Sequence, residues 1–413
     1  MHAAGANWRK NAAMNVLICN AGSSSLKFSL FQHKDETVLA EGAIDWSGGR
    51  ATIAIHRPTC DAIQRAVSAR GYSDASDLVL RELRLIGAEA AKGSLGIDAI
   101  GHRVVHGGVR YSTAVLLTPE VEHDIEGLSE LAPLHNPPGL EVIRAMRRAL
   151  PGVPQVAAFD TAFHSTLPPA AFTYAVPRAW TREWGLRRFG FHGLSHAYCA
   201  RRAAETLGRR PQRLIIAHLG NGASISAVRD GVCIDTSMGF TPMEGVMMGT
   251  RSGTVDPGIL IYVLRERGMT ADSLDRVLNQ ESGLLGVSGV SSDMRRVLQA
   301  CGDSPDARLA IDIYVHRVRQ TIGAMAATLG GADALVFTAG IGEHAPLIRE
   351  RICETLGHLG LELDNAANVA GTPDCDVAAS GSRGRILVIT TREDLMILRE
   401  LGALIGSPLG VGR

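Results

Sequence analysis

Lysine is scarce in this sequence: only four of its 42 basic residues are lysine, and none of them lies in a G-x-x-x-x-G-K-[ST] string. That absence excludes the P-loop route to nucleotide binding. Net charge is lacking as well, since 42 basic side chains balance 42 acidic ones. Nucleic acid and membrane surfaces recognised through bulk electrostatics require a positive surplus, so neither is an expected partner. No apolar run approaches the ~18 residues that cross a bilayer. The longer runs, such as Ile259 to Leu264, have the length of a strand or a short helix. The seven cysteines contain no C-x-x-C pair, and their odd number suits neither a disulfide framework nor a zinc site. A reducing cytoplasm is the expected compartment. Aromatic residues make up only 5%, yet 46% hydrophobic residues over 413 positions supply real cores and exclude a disordered chain.

The length corresponds to roughly two to three domains. Ahead of Met14, Arg9 and Lys10 precede an apolar stretch that runs only from Val16 to Cys19. This is too short for a signal-peptide core, and residues 1–13 are read as a disordered N-terminal extension. Asn15 to Asn20 then reads as a buried strand, A-G-S-S-S (21–25) as a turn, and Leu26 to Phe31, with Leu26, Phe28 and Leu30 on one face, as the half-buried return strand. Strands over Val38–Ile44 and Ala51–Ile55 and a helix around Ser76–Ala91 follow. About two hundred residues later the pattern recurs, with Leu214–Leu219, the turn G-N-G-A-S (220–224), and a return strand from Ile225. Next come a helix from Pro257 capped by Asp256 and a longer one from Pro305 to Leu329. A strand at Leu335–Thr338, a glycine turn A-G-I-G-E (339–343), a strand at Ile386–Ile389 and a final helix complete the chain. Alternation of strands and helices predicts α/β, with two related domains sharing a cleft.

Turns built from Gly, Ser, Asn and Ala are either plain hairpin loops or places where backbone amides converge on an anion. Two such turns at matching points of duplicated halves favour a bound polyphosphate. Arg103 in G-H-R-V-V-H-G-G and Arg251 in M-G-T-R-S-G sit beside glycines, where a forked, permanently charged guanidinium suits a transferring phosphoryl group. Histidines 102, 106, 135, 164, 192, 196 and 218 occupy Gly- or Pro-rich segments. Each is either a hydrogen-bonded turn residue or a donor toward developing negative charge. Asp160 and Glu393 each follow an apolar strand-like run, which makes them either helix caps or magnesium-site acids.

The strings N-A-G-S-S-S-L-K-F, G-H-R-V-V-H-G-G, L-A-P-L-H-N-P-P, F-D-T-A-F-H, F-G-F-H-G-L-S-H, H-L-G-N-G-A-S, D-T-S-M-G-F-T-P-M-E-G-V-M-M-G-T-R-S-G and F-T-A-G-I-G-E resemble the acetate kinase family, in order and over nearly the whole chain. The resemblance implies two duplicated actin-like (ribonuclease H-like) α/β domains flanking a nucleotide cleft, 14–160 with 394–413 and 161–393. It also implies a cytoplasmic homodimer that transfers phosphate between ATP and acetate, giving ADP and acetyl phosphate, with Mg2+ or Mn2+. By this resemblance Asp160, Arg251 and His192 are catalytic, and Arg103 and His135 bind the substrate. Val105, Leu134, Phe191 and Pro242 form the pocket for its methyl group. Asn20, Lys27, His218, Leu219, Gly220, Asn221, Gly222, Gly340, Ile341 and Gly342 contact the nucleotide, and Asn20 and Glu393 lie at the metal. Thr254, His344 and Arg392 depart from the family pattern, the last two beside the expected nucleotide and metal.

The chemistry agrees with that assignment. A carboxylic acid with a pKa of roughly 4 is already ionised at pH 7 and needs no general base. The obstacle is bringing two anions together, which two arginines, a histidine and a divalent cation answer. An alcohol acceptor would need a carboxylate to take its proton, a role open to Asp160, so a sugar or polyol kinase is the physical rival and propionate the nearer alternative. Ser24-Ser25-Leu26-Lys27 satisfies S-x-x-K, but its S-D-N and K-T-G companions are missing. A chaperone-type clamp would carry a substrate-holding appendage, and only 20 residues follow Glu393.

Overall fold

The computed structural model describes residues 14–22, 24–46, 48–58, 60–89, 96–133 and 135–406. The extension expected over residues 1–13 and the pocket residue Leu134 lie outside them. The chain divides into two compact units, Met1–Ala162 with Arg392–Arg413, and Phe163–Thr391.

The first unit begins with β1 (Asn15–Ala21), whose Val16, Leu17, Ile18 and Cys19 are all buried. Such an uninterrupted apolar run suits a strand covered on both faces. The Gly22 amide donates to the Ser25 carbonyl (2.8 Å) and closes the turn into β2 (Ser25–Gln32). The alternation in β2 predicts a half-buried strand, yet Ser29 and Phe31 are buried too. The helix Glu393–Gly406 covers that second face: Ser29 Oγ donates to Asp394 (2.9 Å), and the Arg392 guanidinium lies 5.9 Å from the Phe31 ring centre. The meander continues through β3 (Thr37–Asp45), β4 (Thr52–Arg57) and β5 (Cys60–Ala66), the last of which the sequence pattern did not predict. After the helix Tyr72–Glu89 come β6 (Ala99–Val104), β7 (Val115–Leu116) and β8 (Gln155–Phe159). The strand order is β5-β4-β3-β2-β1-β6-β8-β7, with β1, β6 and β8 parallel. Gly101 on β6 permits close approach of the final helix, since a Cβ there would sit 2.7 Å from Ile397.

The second unit repeats this arrangement with β9 (Arg213–Leu219), β10 (Ala223–Arg229), β11 (Val232–Thr236), β12 (Ala334–Thr338), β13 (Cys375–Asp376) and β14 (Arg385–Val388), in the order β11-β10-β9-β12-β14-β13. The run β3-β2-β1-β6-β8 corresponds strand for strand to β11-β10-β9-β12-β14. In each, an antiparallel meander of three strands is followed by two strands parallel to its first. The duplication expected from the recurring turn is thus an actual repeat of topology. The helix Pro305–Leu329 starts with Ser304 Oγ accepting from the Ala307 amide (3.1 Å) and stops at Gly330 in the left-handed region, φ 75°. Its buried stripe, including Ile311, Tyr314, Val318 and Ile322, covers β9 and β10. Asp256 caps the helix Pro257–Glu266 through the Gly258 amide (2.8 Å), as its position predicts.

One local expectation is corrected. A-G-I-G-E, expected as a glycine turn, forms the short helix Ala339–His344. Glycine in a helix costs about 1 kcal/mol relative to alanine. Here the Glu343 carboxylate offsets that cost by accepting from the Ala339 amide (2.8 Å) and from the Thr391 amide (3.1 Å).

Candidate active site

In the first unit the parallel strands deliver their C-terminal residues to one edge of the sheet, the edge where open α/β sheets carry their functional side chains. Asn20 is the penultimate residue of β1, Arg103 the penultimate residue of β6, and Asp160 follows β8 directly. The Arg103 guanidinium donates to Asp160 through Nε (3.1 Å) and Nη2, and to Asn20 Oδ1 through Nη1 (3.1 Å). Asn20 Nδ2 in turn donates to Glu393 Oε2 (3.2 Å), which lies 3.7 Å from Arg103 Nε. Burial works against the Arg103 charge, but the carboxylates of Asp160 and Glu393 outweigh it and raise its pKa. Asp160 is fully buried, so removing Arg103 would strand a charge at a cost of about 3–5 kcal/mol. Beneath the set, burial, helped by the nearby Asp160 charge, pushes the Glu400 carboxyl up to about 7.

In the second unit the corresponding turn joins β9 to β10. The Gly220 amide donates to the Gly222 carbonyl (3.0 Å), and the Gly249 amide donates to the Asn221 carbonyl (2.9 Å), tying the turn to the segment that carries Arg251. A Cβ on Gly222 would lie 3.2 Å from His192 Nε2 and 3.5 Å from Arg251 Nη1. An imidazole and a guanidinium therefore converge on the space above that glycine. His192 precedes the helix Gly193–Leu207 and holds φ 58°, a left-handed conformation uncommon outside glycine and characteristic of functional sites. Its ring stacks on that of His218, with centres 4.1 Å apart. Arg251 donates to the Pro242 carbonyl (3.3 Å), and burial lowers its pKa. Among the described residues, no carboxylate lies within ion-pair distance of it. A desolvated cation without an acidic partner is a site awaiting an anion.

The structure sorts the remaining candidates. Asn20, Arg103, Asp160 and Glu393 meet in one unit, and His192, His218, Asn221, Gly222, Pro242 and Arg251 cluster in the other. Val105 and Phe191 are buried, and His135 precedes the helix Asn136–Ala149. Leu219 has a fully buried side chain, so only its backbone is available to a ligand. Lys27 is exposed on β2 opposite Asn20. Gly340, Ile341 and Gly342 lie on the short helix after β12. Three of the histidines are buried structural groups. His102 pairs with Gln155 (2.7 Å), and the Gly108 amide donates to His106 Nδ1 (3.0 Å). His164 contacts the Phe191 carbonyl (2.9 Å), and burial brings all three down to about 4.

Of the departures from the family pattern, Arg392 pairs with Asp394 (3.0 Å) and leaves Glu393 to Asn20, His344 is exposed, and Thr254 Oγ1 accepts from the Gly245 amide (3.1 Å). Ser195, Ser224, Glu343, Thr391 and Glu400 were not singled out from the sequence. Ser195, Ser224 and Glu343 stand inside the motif strings and were visible there, whereas Thr391 meets Glu343 across 48 positions and Glu400 carries no motif. Among the described residues no group of three His, Cys, Asp or Glu side chains is arranged to hold a metal. The oxygens of Asn20 and Glu393 suit a hard divalent cation whose remaining ligands are phosphate and water.

The chain is similar to known proteins over nearly its whole length. Residues 15–399 match the profile of the Acetokinase family. The acetate kinase of Trichormus variabilis is 47% identical over 94% of this chain and 98% of its own length, and that of Gloeobacter violaceus is 48% identical over the same shares. Among solved structures, the acetate kinase of Porphyromonas gingivalis superposes with a TM-score of 0.85 at 39% identity, covering 94% of this chain and 98% of that one. A propionate kinase from Francisella tularensis gives 0.87, also at 39% identity and with the same coverage.

Proposed function

Because this chain belongs to the acetokinase family, we propose that it is an ATP:acetate phosphotransferase, forming acetyl phosphate and ADP reversibly by direct in-line transfer. The reading is carried by Arg251, a partly buried, desolvated guanidinium with no acidic neighbour among the described residues, which shares with His192 Nε2 the space over Gly222. A phosphoryl group in transfer spreads negative charge over three oxygens, and fixed donors aimed at that charge are the main source of its stabilisation. Arg251 and His192 take this role, and the turn formed by His218, Leu219, Gly220, Asn221 and Gly222 offers backbone amides to the nucleotide phosphates. Gly340, Ile341 and Gly342 meet the adenosine, and Lys27 assists the phosphates. Arg103 binds the acceptor carboxylate, supported by His135, with Val105, Leu134, Phe191 and Pro242 around the methyl group.

Asp160 is already committed to Arg103. It therefore orients that guanidinium and, through it, Asn20 and Glu393, instead of accepting a proton. This favours an acceptor that arrives ionised and disfavours a sugar. Asn20 and Glu393 would hold Mg2+, which neutralises phosphate charge when bound. The enzyme is placed in the cytoplasm, where its free cysteines remain reduced. It is further proposed to be a homodimer, because the helix Pro257–Glu266 carries Ile259, Ile261, Tyr262 and Leu264 exposed and buries none of its residues.

Propionate is the second reading, since a solved propionate kinase is as similar as a solved acetate kinase. One methylene in an apolar pocket discriminates by only ~1–3 kcal/mol. The deciding experiment measures acyl phosphate formation from ATP and Mg2+ with acetate, propionate, butyrate and glycerol, in the wild type and in Arg103→Ala and Arg251→Ala. The expected result is a preference for the short acids and a loss of roughly 10²–10³ in kcat for Arg251→Ala. Turnover of glycerol alone, or near-normal kcat in both variants, would overturn the reading.

A further inference from the structure

We propose that His196 and Ser224 act as a positioning relay that fixes the proton of His192 on Nε2, the nitrogen that faces the space over Gly222. The inference rests on the role given to His192 above. Its premises are geometric. Ser224 Oγ lies 3.0 Å from His192 Nδ1 and 2.7 Å from His196 Nε2. A hydroxyl has one proton to give, so it cannot donate to both rings, and at least one of the two nitrogens must carry a hydrogen.

Three arrangements satisfy that count. In the first, His192 Nδ1–H donates to Ser224, and Ser224 donates to His196 Nε2. The His196 proton is then forced onto Nδ1, a fully buried nitrogen with no partner among the described residues, and orphaned buried N–H groups are rare because they are costly. In the second, both rings donate to Ser224, which leaves the hydroxyl proton of a fully buried serine without an acceptor among the described residues. In the third, His196 Nε2–H donates to Ser224, and Ser224 donates to His192 Nδ1. Only a bare lone pair on His196 Nδ1 then goes unmatched, and His192 is left with its proton on Nε2. The third arrangement wins.

The relay has a further effect. Placing a proton on His192 Nδ1 requires one of the two disfavoured arrangements, so the relay resists conversion of His192 to imidazolium. His196 itself stays neutral: burial, then the neighbouring His164 and His218, hold it well below the ordinary histidine range. The His218 ring, stacked at 4.1 Å, keeps the plane of His192 in place. His192 is thereby set as a neutral Nε2–H donor toward the transferring group. It needs no reorientation when charge develops, which is what makes a preorganised donor effective.

The test reads the proton directly. In 15N imidazole spectra of the ligand-free full-length protein, His192, assigned by its loss in His192→Asn, and His196, assigned by its loss in His196→Gln, should each carry hydrogen on Nε2 with Nδ1 bare. Hydrogen on Nδ1 of either ring overturns the relay. Kinetically, His196→Leu should lower kcat roughly ten- to hundredfold, as is typical when the partner orienting a working histidine is lost, with KM for ATP and acetate unchanged. His196→Gln, whose amide can still donate to Ser224, should recover most of kcat. Full activity in the leucine variant, or equal loss in both, overturns the proposal. The spectra need neither substrate nor turnover, so a chain that failed to phosphorylate acetate would refute the reaction without touching the relay.

Discussion

Two arginines in this molecule have opposite electrostatic circumstances. Arg103 is held by Asp160 and Asn20, so its charge is matched before any ligand arrives. Arg251 is desolvated against a carbonyl and a glycine turn, and its charge is matched only by what binds. Gly222 tests this contrast, because a side chain there would press on both Arg251 and His192. A methyl there would stand 3.2 Å from His192 Nε2 and 3.5 Å from Arg251 Nη1. Gly222→Ala is expected to lower kcat/KM for ATP by about 10²-fold, the scale of a small misplacement at a reacting centre, with little change in thermal midpoint. Steady-state kinetics and a melting curve check this, and an alanine variant of normal activity would show that the working face lies elsewhere. Both arginines, His192 and Gly222 were legible in the sequence because glycine-flanked charged residues mark places where backbone and ligand approach closely. Ser224 and His196 were legible as letters in a motif but not as a relay, since 28 positions separate them in the chain.

At the scale of elements, the final helix Glu393–Gly406 combines two tasks. Its first residue reaches Asn20, while Glu400, further along, is half-buried near Asp160, its Oε2 buried and without a hydrogen-bond partner among the described residues. Burial and the Asp160 charge hold the Glu400 carboxyl up to about 7, above its unfolded value. The folded state therefore binds this proton more tightly than the unfolded state. Its stabilising effect is complete below the ordinary carboxylate range, declines as pH rises through the window up to about 7, and is absent above it. The shift corresponds to roughly 3 kcal/mol at most. Glu400→Gln should accordingly gain in denaturation midpoint over the wild type at pH 8, with the gap closing toward pH 5. A gap that does not change with pH would refute the assignment. Most elements could be read from the sequence, because caps such as Ser304 and Asp256 and the apolar runs of β1 and β9 are local signals. The strand β5 and the helix over A-G-I-G-E could not. The first is an edge strand with no buried residue, and the second depends on the Glu343 carboxylate, which meets Thr391 from a distant part of the chain.

At the scale of the whole molecule, the zero net charge and the exposed apolar helix Pro257–Glu266 point the same way. Self-association through that face involves no bulk charge repulsion. Ile261, half-exposed at 50%, lies in the middle of it. For the proposed homodimer, Ile261→Asp is expected to shift the sedimentation mass from twice to once the 43.9 kDa of a single chain; a wild type that sediments as a single chain would overturn the dimer, and a variant that remains a dimer would place the interface on another surface. The duplicated topology was visible in the recurrence of a turn about two hundred residues apart, whereas the parallel pairs β1–β6 and β9–β12 join strands too far apart in the chain to leave a local signal.

The first unit is interrupted: β1 to β8 come early in the chain, whereas the helix that covers β1 and β6 and carries Glu393 comes after the entire second unit. During synthesis the second unit can therefore complete its core while the first still exposes an apolar sheet face around Gly101. The carboxylate that completes the Asn20–Arg103–Asp160 set is also the last of the four to be made. A chain truncated before Glu393 would thus lose an acid of the site together with the cover of a core, so that a half-made molecule is both inactive and prone to aggregate.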